Sequence, residues 1–188
     1  MINLKEAVAM ALAPTQLEIL WATHAIEDAL HRYMRAQDRL DRALHLSAFH
    51  SDAFVDCGLM AGTAAEFVDF AQALLADMES SFHMLGQKHI RILGSESAEG
   101  EIYFFAQHRI RAPELQDLLI AGRYVDEYAC REGEWRILKR RELIDWVRQD
   151  PASDGPFRGD NPGLPFGDRS GRDFSETRAW ADVMTSGE

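Results

Sequence analysis

The strongest constraint on the fold is an almost unbroken series of long strand-type segments in the second half of the chain. Four of them, Phe82 to Leu93, Ala98 to Ile110, Leu118 to Tyr128 and Trp135 to Val147, are rich in β-branched and aromatic residues. Gly94-Ser95, Ala112-Pro113 and Glu132-Gly133 supply the breaks between them. Connections this short cannot hold a crossover helix, so consecutive strands must turn back on one another as an antiparallel meander. The segments ahead of them read as helices. Helices first and strands later is an α+β order, not a βαβ one. The expected architecture is one strongly curved antiparallel sheet whose concave side is closed by the N-terminal helices.

Pro14-Thr15 opens the longest helix, since proline is tolerated at a helix start. Leu17, Leu20, Trp21, Ile26, Leu30, Tyr33 and Met34 recur at helical spacing and predict one broad apolar face. A short helical turn is expected over Ala43 to Phe49, then a strand from Ala53 to Cys57 ended by Gly58. Thr63 and Glu66 have capping-box spacing, and Phe67, Phe70, Leu74 and Leu75 mark the buried face of a helix ending near Glu79. Ala7 to Ala13, apolar behind Lys5 and Glu6, reads as a helical lead-in and not as a signal segment.

Residues 1–150 therefore read as one α+β domain. From Pro151 the composition changes. Four of the six prolines fall between Pro151 and Pro165, glycines recur, and Phe157, Leu164, Phe166, Phe174 and Trp180 are interleaved. Residues 151–188 are expected to form an extended arm that docks its aromatics on the body or on a neighbouring subunit. A short helix is expected over Phe174 to Met184. A disordered tail is the alternative.

A chain of 188 residues can bury a real core. Its net charge of −11 opposes a nucleic-acid partner, because phosphate binding draws on clustered Lys and Arg. The one basic run, Lys139 to Arg141, lies within a strand pattern. Cys57 and Cys130 are the only cysteines and have no metal or redox spacing. No apolar run is long enough to span a bilayer, so the expected location is cytoplasmic, with no membrane partner.

Two residues stand out chemically. Asp38 continues the stripe that runs through Leu30 and Met34, where a carboxylate breaks the apolar pattern. It reads equally as a helix-end aspartate paired with Arg39 or Arg42 and facing water. His83 lies early in the first long strand, on a mixed face with Ser81, Leu85 and Gln87, while Phe82, Met84, Ile90 and Ile92 take the other. That face suits a pocket wall, although a strand histidine is more often structural. His45 and His50 lack the spacing of a helical metal pair, and no phosphate loop or nucleophile elbow is present, so neither metal nor cofactor is expected.

Three motifs carry a resemblance. Tyr33-Met-Arg-Ala-Gln-Asp38-Arg-Leu-Asp41 with Phe49-His-Ser-Asp52-Ala53 forms the first, and Ser81-Phe-His83-Met-Leu-Gly86 the second. The third is Gly122-Arg-Tyr124-Val-Asp126-Glu127-Tyr128 with Arg131-Glu-Gly133-Glu-Trp135-Arg-Ile137. In this order and spacing, over roughly residues 14 to 147, the chain resembles SnoaL-like proteins of the nuclear transport factor 2-like superfamily. The resemblance implies a cone-shaped, cystatin-like sheet. It extends to bile-acid 7α-dehydratase, scytalone dehydratase and hexachlorocyclohexane dehydrochlorinase, lyases in which a strand histidine pairs with a helix aspartate.

Carried over by motif, the implied catalytic set is His83 as base, Asp38 as its orienter, Tyr33 as donor and Arg140 near the leaving group. An imidazole titrates near neutrality and can take a proton at cellular pH, while a carboxylate on its other nitrogen steadies the cation that forms. The implied activity is a cofactor-independent elimination on a hydrophobic, cyclic small molecule, or an isomerisation or cyclisation by the same proton shuttle. A non-catalytic ligand-binding or assembly subunit of the same fold is the alternative. The resemblance also implies a homo-oligomer, dimer or trimer.

Overall fold

The computed structural model describes residues 14–111 and 113–185. The lead-in expected over Ala7 to Ala13 lies outside them. Helix α1 (Gln16–Arg39) starts from a complete capping box, in which Thr15 accepts from the Glu18 N–H and the Glu18 carboxylate accepts from the Thr15 N–H. Its buried residues are Ala22, Ile26, Ala29, Leu30, Tyr33, Met34, Ala36 and Gln37. Leu17, Leu20 and Trp21 are exposed, so the apolar face is narrower at its start than the spacing predicted. The helix stops one residue past Asp38 because Leu40 takes a left-handed conformation, φ 55°, and its N–H caps Ala36 O.

Asp41 caps the short helix α2 (Arg42–Ser47). Strand β1 (Phe49–Asp56) then begins four residues earlier than expected, and a short strand β2 (Ala61–Thr63), absent from the sequence reading, pairs with it. Helix α3 (Ala64–Ala76) carries the second capping box, Thr63 with Glu66, and ends three residues before Glu79. The meander follows as β3 (Ser80–Ile92), β4 (Ser97–Ile110), β5 (Gln116–Arg131) and β6 (Glu134–Pro151).

The sheet order is β2-β1-β6-β5-β4-β3, open at both edges. It is mixed, not purely antiparallel: β1 runs parallel to β6, while the other pairs are antiparallel. A meander leaves its last strand with a free edge, and the α1–α2 turn delivers β1 to that edge in the same direction. Helix α1 packs on β3 and β6, and α3 on β1, so both close one face of the sheet. Ile26, Leu30, Val55, Val68, Ile102 and Ile137 form the fully buried centre.

Two irregularities shape that face. In β3 the register shifts between Leu85 and Lys88. Ile90 and Ile92 therefore pack against the core with Leu85, while Phe82 and Met84 stay outside, correcting the expectation that all four share a face. In β5 the register shifts between Ala121 and Gly122, and a Cβ at Gly122 would lie 2.2 Å from Leu143 O and 3.0 Å from the Phe104 ring.

Within one copy of the chain the arm is held by charge, and most of its aromatics stay exposed. Arg109 binds Asp154 at 2.7 Å, and Arg39 reaches Asp168 O at 3.2 Å and Asp173 at 3.3 Å. Arg169 donates to Leu75 O at 2.9 Å, to Asp38 O at 3.3 Å and to the Ser81 hydroxyl. Phe157, Phe166 and Trp180 remain exposed, and Phe174 packs edge-on against Trp180. Guanidinium groups reaching carboxylates and helix-end carbonyls make the stronger anchor here. Short helices α4 (Gly155–Asp160), α5 (Phe174–Thr177) and α6 (Trp180–Thr185) lie along the arm, the last two separated by a left-handed Arg178. Among the described residues, no helix is long and apolar enough to cross a membrane.

Because backbone blocks the space beside Gly122, Gly122→Ala is expected to lower stability by about 1–3 kcal/mol in urea unfolding. An unchanged midpoint would mean that β6 yields there without cost.

Candidate active site

Asp38 reaches the sheet because α1 ends over the start of β3. Its Oδ1 lies 2.7 Å from His83 Nδ1, and its Oδ2 accepts the His83 backbone N–H at 3.1 Å. The Ser81 hydroxyl donates to Oδ1 at 3.2 Å. All three neighbours are donors, which suits an acceptor-only carboxylate and puts the His83 proton on Nδ1. The side chains are 5% exposed for His83 and 13% for Asp38, so the pair is shielded from bulk water. Arg39 and Arg42, the alternative partners, are bonded instead to Asp173 and Asp69.

With Nδ1 protonated, the lone pair of His83 is on Nε2. His108 on β4 meets it there, Nε2 to Nε2 at 3.2 Å, and must donate. His108 Nδ1 is then an acceptor, buried and without a partner among the described residues. Burial first, and the His83 ring second, hold the His108 imidazole down at about 4. The sequence reading missed His108. Its only signal was alternation on β4, which is indistinguishable from ordinary sheet packing.

Tyr33 and Arg140 occupy a second cluster. The Arg140 guanidinium makes two hydrogen bonds to Asp126, at 2.8 and 2.6 Å, and the ion pair is almost fully buried. It lies between two rings, 4.3 Å from the centre of Tyr33 and 4.0 Å from that of Tyr124. Tyr128 donates to Asp126 from the far side at 2.7 Å. Tyr33 is fully buried, and desolvation pushes its hydroxyl above the ordinary tyrosine range against the pull of Arg140. Arg140 is thus bonded to Asp126 and packed against the rings, where the motif match implied a place near the leaving group. Asp126 claims two of its nitrogens, and the two edge-to-face tyrosine rings lie beside it with Nη1 buried and unpartnered among the described residues.

Between α1, α3 and the sheet lies a cavity of about 510 Å³. His83, His108 and Tyr33 line it with Gln37 and Cys57, and the remainder is mostly apolar, including Phe67, Phe104, Tyr124, Leu118, Ile120 and Val147. A concave, apolar hollow with a few polar groups is the usual form of a small-molecule site. One further polar group faces it, Glu142 on β6, directly across from Tyr124. Burial raises the Glu142 carboxyl to about 7, with Arg140 pulling the other way. Sequence reasoning missed Glu142 too, because it follows Lys139, Arg140 and Arg141 and looks like part of a solvated charge run.

Residues 18–141 match the SnoaL-like domain. The chain belongs to the SnoaL-like family. Solved structures share the fold. They include the hexachlorocyclohexane dehydrochlorinase LinA Type 2, at 19% identity and TM-score 0.67, covering 83% of this chain and 99% of that one. A putative scytalone dehydratase from Novosphingobium aromaticivorans shares 16% identity, with TM-score 0.66 over 74% of this chain and 94% of its own. A cystatin-like protein of unknown function from Nostoc punctiforme shares 18%, with TM-score 0.57 over 71% and 96%. At these identities the likeness establishes the fold alone. No curated protein matches the chain.

The buried imidazoles make stability depend on pH. His108 titrates at about 4 when folded, and burial, with Arg140 second, holds His45 at about 3, against an ordinary histidine value of 6.5. A depressed histidine pKa means that the unfolded chain takes up the proton first, so stability falls as pH drops from 6.5 through these values. Glu142 acts in the opposite sense, losing stability as pH rises through about 7. His108→Asn removes one of these groups and leaves Glu142 untouched. Its stability relative to the parent should improve by on the order of 2 kcal/mol between about pH 6.5 and about pH 4. A constant difference across that range, measured by urea unfolding, would mean that His108 is already protonated in the folded protein.

Proposed function

We propose that the protein is a cofactor-independent lyase acting on a hydrophobic, cyclic small molecule. The observation that carries this reading is the Asp38–His83 contact of 2.7 Å at the wall of an apolar cavity. His83 Nε2 is the base that takes a proton beside an activating group, and Asp38 holds the ring in the required tautomer and steadies the imidazolium. His108 donates to that lone pair and gives it up when a ligand enters. Tyr33 keeps its proton and can donate it to a carbonyl or a departing oxygen. Arg140 acts through Tyr33, not on the ligand. Loss of water or another leaving group completes an elimination; return of the proton to a neighbouring atom gives an isomerisation. The printed names of two structural neighbours, a dehydrochlorinase and a putative dehydratase, support elimination.

The protein is also read as a homo-oligomer. Phe82, Met84, Tyr103 and Val125 stand exposed on strands β3, β4 and β5, away from the cavity side, and supply an apolar surface for a second copy.

Proton removal can be tested before the substrate is known. In deuterium oxide the protein should catalyse exchange of the α-protons of a cyclic ketone such as β-tetralone, followed by NMR. His83→Ala and Asp38→Asn are each expected to slow this by about 10²–10⁴ with far-UV circular dichroism unchanged. Exchange at the parent rate in both folded variants would remove the proposal.

A further inference from the structure

We propose that Glu142 is a specificity-determining residue of the cavity, donating a hydrogen bond from its carboxyl to a carbonyl or hydroxyl oxygen of an apolar ligand. The inference rests on reading the cavity as a ligand site, and not on the elimination chemistry.

The geometry leaves Glu142 few other employments. Among the described residues none hydrogen-bonds its carboxyl or forms an ion pair with it. The cation two positions back on β6, Arg140, gives two of its nitrogens to Asp126 and packs against the Tyr33 and Tyr124 rings, while its buried Nη1 has no hydrogen-bond partner among the described residues. The groups facing Glu142 from other elements are the hydroxyls of Tyr124 on β5 and Tyr33 on α1. The imidazoles of His83 on β3 and His108 on β4 line the same cavity. Ile144, next on the same face of β6, continues the apolar wall.

A carboxylate in this half-buried place loses part of its hydration with no hydrogen-bond donor to replace it, and burial raises the group to about 7, so the uncharged acid is well populated at neutral pH. An uncharged acid is a donor as well as an acceptor, and the acceptor it lacks must come with the ligand. The ligand class is therefore neutral and oxygen-bearing, with an apolar body to fill the rest of the hollow. A carboxylate ligand is disfavoured, because its charge would meet Glu142 in a medium that screens poorly.

The probe for this is Prodan, a neutral naphthalene ketone whose fluorescence reports both an apolar site and a hydrogen bond to its carbonyl. Its Kd for the parent protein should rise about tenfold or more between about pH 6 and about pH 8.5, as Glu142 ionises. Glu142→Gln keeps a donor that does not titrate, so it should bind Prodan with nearly the same Kd at both pH values. Prodan binding involves no proton abstraction, so its outcome is independent of the elimination reading. Independently of any ligand, the Glu142 carboxyl carbon should titrate by NMR with a midpoint near 7. A parent Kd that does not change with pH, a Glu142→Gln protein that keeps the change, or a midpoint in the ordinary carboxylate range would each overturn the assignment. Absence of Prodan binding to the folded parent would overturn it together with the cavity's role as a ligand site.

Discussion

The buried ion pair between Arg140 and Asp126 organises the interior on which everything else is built. Either charge alone in that position would be strongly destabilising, on the order of 3–5 kcal/mol once its partner is lost. Together they face each other directly across β5 and β6, so a slip in the register of those strands would separate them. The guanidinium also binds two aromatic faces, one from the sheet and one from α1. Sheet register and helix position are thus tied by one side chain. Tyr33 sits one helical turn from Gln37 and five residues from Asp38, so fixing its ring also fixes where α1 ends.

That end point matters because the acid–base pair spans two elements. Asp38 belongs to the last turn of a helix and His83 to the first turns of a strand, 45 residues later. The left-handed Leu40, two residues after Asp38, ends the helix, so the carboxylate lies in its last turn and the chain beyond turns away from β3. A residue with a side chain in that conformation costs roughly 1 kcal/mol. The break also frees Asp41 to cap α2, which starts the turn toward β1.

Much of this organisation was legible in the residues. The Pro14-Thr15 start, one capping box and four long strand patterns gave helix starts and strand centres, and the Tyr33–Asp38 and Ser81–Gly86 motifs gave the pair that the structure brings together. What escaped had physical reasons. The parallel pairing of β1 with β6 depends on which edge the helices leave open, which no local pattern records. The bulge after Leu85 reverses the faces of β3, and alternation read across it necessarily inverts Ile90 and Ile92. His108 and Glu142 gained significance only from neighbours distant in sequence, an imidazole in one case and a lack of partners in the other. Arg140 entered only through the motif match, and its surroundings place it against Asp126 and two tyrosine rings. In the arm the aromatics drew notice, while Arg39 and Arg109 from the body and Arg169 from the arm make the attachment.

The last of those attachments bears on the order in which the site comes into being. Arg169 ties the carbonyl of Asp38, the end of α3 and the hydroxyl of Ser81 into one cluster, and Ser81 in turn touches the Asp38 carboxylate. It lies 131 positions beyond Asp38. During synthesis the sheet and both long helices can therefore emerge and collapse while the carboxylate is still unbraced from behind. The acid–base pair acquires its full set of neighbours only once Arg169 has left the ribosome.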